Sequence, residues 1–291
     1  MSSRELSDED KKQIITRNTY HRHIGYTWNA NLKEDTVYMS PEFCKTWKIK
    51  ISPLSIEEDS DCKPFFFAPF TGKLVPRVRD DGENGIKDGD KYDPELEPSR
   101  NLRNFTGVIY DFVIGCHEPD YFGETNPPPF WMPDEDIGCR DTSEGVAQSN
   151  NKPPWQTRGF MIPVTNPDPW RRSFKGPNKP KPHVKILIES QATGNKHLLR
   201  SEIMMITQIM VRRLHKKTLR DHLIIPLMFF SLTSPWHLRV VEAYYDSETL
   251  HVCMTKLYDM REANDELCEV LCRWWWGPAA GNTKEHNTPP I

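Results

Sequence analysis

The stretch HVKILIESQATGNKHLLRSEIMMITQIMVRRLHKK, residues 183–217, decides the fold. Val184, Ile186, Leu187 and Ile188 form an apolar run that predicts a strand over 183–190. Behind it, Leu199, Ile203, Ile206, Met210 and Leu214 recur at steps of four, three, four and four, one face of an α-helix. HLIIPLMFFSL, 222–232, predicts a second buried strand, where Pro226 requires a bulge or an edge position. RVVEAYYD and LHVCMTKLYDM then predict a hairpin around Ser247 and Glu248. A last helix runs from about Arg261 to Trp276 and stops at Gly277-Pro278. A strand–helix–strand unit makes its strands parallel neighbours, and a hairpin adds antiparallel ones. The expected class is α/β with an α+β tendency, a mixed sheet under helical cover.

Away from that core the signals weaken. Residues 7–22, opened by Ser7 and three acids, predict a short helix. Residues 64–78 offer one or two strands broken by Pro69 and Pro76, and 80–101 read as loop. FTGVIYDFVIGC, 105–116, is β-branched and aromatic and predicts a strand. Prolines number 25 in 291 residues, against an average near 5%. Many of them fall in 117–182, which reads as an irregular insertion with one strand, Gly159–Val164. The expected organisation is an N-terminal helical or irregular wrap over 1–100, a core over 101–276 containing the long Pro-rich loops, and a disordered tail over 277–291.

Composition excludes several classes. The longest apolar run, Leu223–Phe230, has eight residues and contains Pro226, whereas a membrane span needs about 20, so no membrane association is expected. The polar, acidic start MSSRELSDEDKKQ has no signal-peptide pattern, and an intracellular place, cytoplasmic or nuclear, is expected. The seven cysteines are read as reduced thiols, because the one close pair, Cys268 and Cys272, lacks the second pair of a zinc site. The formal charge of −3 hides a segregation: residues 80–97 carry −6, 118–148 carry −7, and 171–220 carry +11. The last segment, with Arg171, Arg172, Arg200, Arg212 and Arg213, is a candidate nucleic-acid surface; it could equally dock on the acidic loops of the same chain.

Phosphate-loop, metalloprotease, nucleophile-elbow and dinucleotide signatures are all absent. One constellation remains. Glu189 lies near the end of an Ile-Leu-Ile strand, and Gln191, two residues on, shares its face. A carboxylate there can hold a divalent cation facing phosphate, given a second carboxylate from a neighbouring element. Asp111, set among Ile-Tyr and Phe-Val, is the first candidate and Asp168, in NPDPW, the second. The alternative roles are a bond from Glu189 to backbone or to Arg200 at a strand end, and a structural or solvent-facing Asp111.

From these residues onward, 183–260 resembles the C-terminal half of the PD-(D/E)XK nuclease-like superfamily. In that superfamily an aspartate and the E-x-K glutamate hold magnesium, and the lysine positions or activates the attacking water. The resemblance implies Glu189, with Asp111 or Asp168, as ligands of Mg²⁺ (or Mn²⁺). Gln191 stands where the lysine is usual, Lys196 is its spatial substitute, and Arg200 would contact phosphate. The implied function is a metal-dependent phosphodiesterase acting on nucleic acid. The alternative is the same fold without catalysis, kept as a nucleic-acid- or protein-interaction module, for which the departure at Gln191 speaks. Trp274, Trp275 and Trp276 form a candidate protein-binding patch. The chain as a whole resembles uncharacterised fungal proteins.

Overall fold

The computed structural model describes residues 8–34, 36–57, 60–76, 91–110, 112–113, 117–119, 157–163, 181–262 and 264–285. The decisive stretch folds in the order read, but the strand runs on to Thr193 and the helix, expected over 192–217, begins only at Arg200. β5 (Val184–Thr193) leads into α4 (Arg200–His215), which returns to β6 (Leu227–Ser234). β5 and β6 are parallel, with Ile186 beside Phe229 and Glu189 beside Leu232. β7 (His237–Tyr245) and β8 (Leu250–Met254) form the hairpin. Pro226 needs no bulge: β6 begins at Leu227, and the Pro226 carbonyl accepts the Val184 N–H at 3.1 Å.

The sheet runs in the order β1-β8-β7-β6-β5-β4, with β1 at Ile49–Pro53, β4 at Thr157–Pro163, and β9 (Tyr258–Asp259) paired to the start of β7. β1 lies parallel to β8, β4 antiparallel to β5. A separate two-stranded ribbon joins β2 (Leu74–Pro76) to β3 (His117–Pro119). Alternation along the strands sends side chains to two faces. Val184, Ile186, Ile188, Phe229 and Val241 meet Ile203, Ile206 and Met210 of α4, together with Tyr20 and Ile24 of α1 (Asp8–Asn31). Leu187, Met228, Phe230 and Val240 meet Phe105 and Ile109 of α3 (Pro98–Tyr110) and Leu271 and Trp275 of α5 (Asp265–Trp276). The sheet is therefore mixed and covered by helices on both sides, as an α/β sandwich. Truncating a fully buried ring such as Phe230 to Ala costs about 3–5 kcal/mol.

Several local expectations change. Residues 98–110 form a helix where a loop and then a strand were expected. Leu102, Phe105 and Ile109 are buried at steps of three and four, and this periodicity outweighs the β-branched composition. The N-terminal helix runs to Asn31, because α4 offers Tyr20 and Ile24 a surface to cover. Residues 1–100 do more than wrap the core: β1 is an edge strand of the main sheet, and α2 (Pro41–Thr46) leads into it. Through Glu285 the tail expected to be disordered is laid against the core, where the Thr283 carbonyl accepts N–H groups of Leu223 (2.8 Å) and Ile224 (3.0 Å). No helix among the described residues is long and apolar enough to cross a membrane.

Candidate functional site

Glu189 directly precedes Ser190, the last residue of β5 in regular register with β6 before an irregularity between Ser190 and Thr193. Glu189 and Gln191 are half-buried, while Ser190 and Ala192 between and beyond them are buried, so the two polar side chains share a face as expected. That face looks toward α3. Thr106, on the inner side of α3, donates its hydroxyl to Glu189 Oε2 at 2.6 Å and lies 2.9 Å from the Leu102 carbonyl. A contact that short to a carboxylate is a charge-assisted hydrogen bond, and it ties helix to strand. Across the sheet, Arg158 of β4 is the register partner of Glu189.

Asp111, Asp168, Arg171 and Arg172 lie outside the described residues. Among the described residues, the Glu189 carboxylate, which accepts from Thr106, and the Gln191 amide bring oxygen atoms to this end of β5. Among the described residues no group of three or more His, Cys, Asp or Glu side chains converges on one point. Cys268 and Cys272 are fully buried, and burial pushes the Cys268 thiol up to about 12.

The cations expected at phosphate divide into two kinds. Lys196 is exposed in the β5–α4 loop, and Arg212 is exposed near the end of α4. Arg200 and Arg213 are turned inward. Arg200 is 8% exposed; its Nε bonds the Asn31 carbonyl at 3.0 Å and its Nη2 the Leu32 carbonyl at 3.3 Å, at the C-terminal end of α1. Arg213 bonds the carbonyls of Pro182 (3.2 Å) and Lys181 (2.9 Å). Helix ends leave carbonyls without partners, and a nearby guanidinium both satisfies them and complements the helix dipole. The three tryptophans are core rather than a patch: Trp274, Trp275 and Trp276 are 3%, 1% and 6% exposed. Indole N–H groups of Trp274 and Trp276 reach the carbonyls of Ile56 and Val113 at 2.9 and 3.0 Å.

Other buried charges escaped the sequence reading. Lys185, on the same face of β5 as Glu189, is fully buried and donates to the carbonyls of Trp274 (2.6 Å), Trp275 (2.7 Å) and Gly277 (2.7 Å). Its ammonium caps the end of α5, and burial drives its pKa well below the ordinary lysine value. Gly277 must be glycine here, because a Cβ would stand 1.9 Å from the Ala68 carbonyl oxygen. Glu242 of β7 accepts the N–H groups of Phe65 (2.9 Å) and Phe66 (2.7 Å), and burial raises its pKa to about 7. On the opposite face Arg239 forms a forked pair with Glu202 and bonds the Asn195 and His197 carbonyls, both at 3.0 Å, fixing the loop that carries Lys196. The available signal was a charge inside an apolar strand: Lys185 in HVKILIES, and Arg239 and Glu242 in RVVEAYY.

Comparison with protein-family models, curated proteins and solved structures finds no match.

Proposed function

We propose that the chain is a nuclease-like α/β sandwich that binds nucleic acid without cutting it. The observation that carries this reading is the state of the E-x-Q pair. Glu189 is engaged by Thr106 as a tie between α3 and β5, and an uncharged amide follows it where the resemblance calls for a lysine. Lys196, Arg212, Lys217 and Arg220 remain exposed around α4 and supply a cationic surface of the kind that pairs with phosphates. The burial of the three tryptophans favours nucleic acid over a protein docked there.

A second reading, metal-assisted phosphodiester hydrolysis, is favoured by one placement: Asp111 follows directly on the last residue of α3, the helix that touches Glu189. One experiment separates the two. Labelled single- and double-stranded DNA and RNA are titrated across a salt series, then incubated with Mg²⁺ or Mn²⁺, beside Glu189→Ala and the triple variant Arg212→Ala/Lys217→Ala/Arg220→Ala. Binding without cleavage is expected, weakened in the triple variant, kept in Glu189→Ala, with log K falling against log salt at a slope of about −3. Metal-dependent cleavage lost in Glu189→Ala would establish the second reading instead.

A further inference from the structure

A cleft opens where the C-terminal half of α1, the α2–β1 junction and the β7–β8 turn meet. It encloses about 660 Å³, its open mouth included. Ile24 and Leu250, both buried, give it an aliphatic floor, and Tyr26 and Trp47 add aromatic surface. Tyr26 is 55% exposed, one of the few large hydrophobic side chains that the described fold leaves open to solvent. Scattered exposed rings mean little, but one lining a concave site is a ligand contact in waiting.

The polar groups of the cleft have defined roles. The Tyr245 hydroxyl lies 2.9 Å from the Ser247 carbonyl, which can only accept, so the phenol proton points there. Burial raises the Tyr245 pKa to about 12, which keeps that proton in place. The 3.1 Å contact between His23 Nδ1 and the Tyr245 oxygen must then have the imidazole as donor. Neutral His23 carries its proton on Nδ1, and Nε2 is left as an acceptor.

Charge completes the pattern. Lys48 has a left-handed backbone, φ 51°, which a residue with a side chain seldom adopts. That conformation is fixed from both sides: its N–H bonds the Lys45 carbonyl at 3.3 Å, and its carbonyl accepts the Leu250 N–H at 2.9 Å. Lys48 and Glu248 both line the cleft, yet neither has an ion-pair partner within 4.0 Å among the described residues. Lys45 and Lys50, both exposed, flank Lys48 in sequence and add to the positive field on that side. In the β7–β8 turn the Asp246 carboxylate is already taken up by the Glu248 and Thr249 N–H groups and by His251, and Glu248 is the one acid among the residues that line the cleft.

We propose that this cleft binds a small aromatic carboxylate, its ring against Tyr26 and Trp47 over Ile24 and Leu250, its carboxylate at Lys48, and a ring N–H donor at His23 Nε2. The site lies apart from Glu189, beyond the other layer of the sandwich, and is independent of the nucleic-acid reading. Indole-3-acetate and tryptamine share a ring and differ in the sign of their charge, so calorimetric and ligand-observed NMR titrations of the full chain with each are decisive. Saturable binding of indole-3-acetate is expected, with tryptamine at least ten-fold weaker. Lys48→Met weakens the acid at least five-fold, Tyr26→Ala weakens both compounds, and each variant melts as the parent does. Equal affinity for the two indoles, no saturable binding of either, or an unchanged affinity in Lys48→Met overturns the proposal.

Discussion

The two faces of the sheet bury charge in opposite ways. On the face under α1 and α4, Arg239 and Glu202 are buried together as a pair, and their remaining hydrogen bonds hold a loop and the Leu199 N–H. On the face under α3 and α5, Lys185 and Glu242 are buried without forming an ion pair with each other. They lie on one cross-strand row with Met228 between them, two strand spacings or about 10 Å apart. Both bond to backbone, the lysine to three carbonyls and the glutamate to two N–H groups. A buried charge needs hydrogen bonds more than it needs a counter-charge, and an irregular chain segment can supply them.

The difference is open to breaking. The largest effect is expected from Arg239→Met, which leaves Glu202 charged and buried and frees two loop carbonyls. Chemical denaturation should show a loss of about 3–5 kcal/mol, much of it restored in Arg239→Met/Glu202→Leu, since two apolar groups replace a complete pair at little cost. Lys185→Met removes three hydrogen bonds to main-chain carbonyls of residues 274–277, which a second side-chain substitution does not replace. A loss of about 3 kcal/mol is expected, and combination with Glu242→Gln should not recover it. A recovery would show that the lysine and the glutamate act as a long-range pair after all.

Glu242→Gln alone should cost about 1–2 kcal/mol, since an amide NH₂ cannot accept from a backbone N–H. Its sharper signature is in pH. The folded pKa of Glu242, about 7, stands above its ordinary 4.5, so the folded state holds the extra proton between those values. Its contribution to stability therefore falls as pH rises through that window and is lost above it. His183 and His222 run the other way: burial holds their pKa values at about 3 and about 4, below the ordinary 6.5. Their contribution is present above pH 6.5 and is lost as pH falls. Between about pH 4.5 and 6.5 the two slopes oppose one another, so removing the glutamate should steepen acid destabilisation, measurable as midpoint against pH. An unchanged slope would mean that Glu242 stays ionised throughout.

The sheet from Val184 to Met254 was legible because its strands are near-continuous apolar runs and α4 keeps its period. The α3 helix was misread because Phe105, Val108 and Ile109 belong equally to strand and helix vocabularies, and only their spacing from Leu102 separates the two. β1 was missed because IKISP is five residues long and gains its identity from pairing with β8. Of the candidate site, Glu189 and Gln191 were placed on one face correctly, since period two is local. The partner Thr106 comes from a helix far away in sequence and carries no signal of its own. A charge count could not foresee that Arg200 and Arg213 turn inward, because a cation's fate depends on which carbonyls end beside it.

The pairing of β1 with β8 has a consequence for how the chain is made. Ile49 meets Leu250, so roughly 200 residues must be synthesised before this edge strand finds its neighbour, a separation that slows closure of non-local contacts. Until then α2 and β1 emerge from the ribosome with Phe43 and Ile49 uncovered, both of them buried in the finished sheet. Vectorial synthesis thus leaves the first part of the chain waiting on the last.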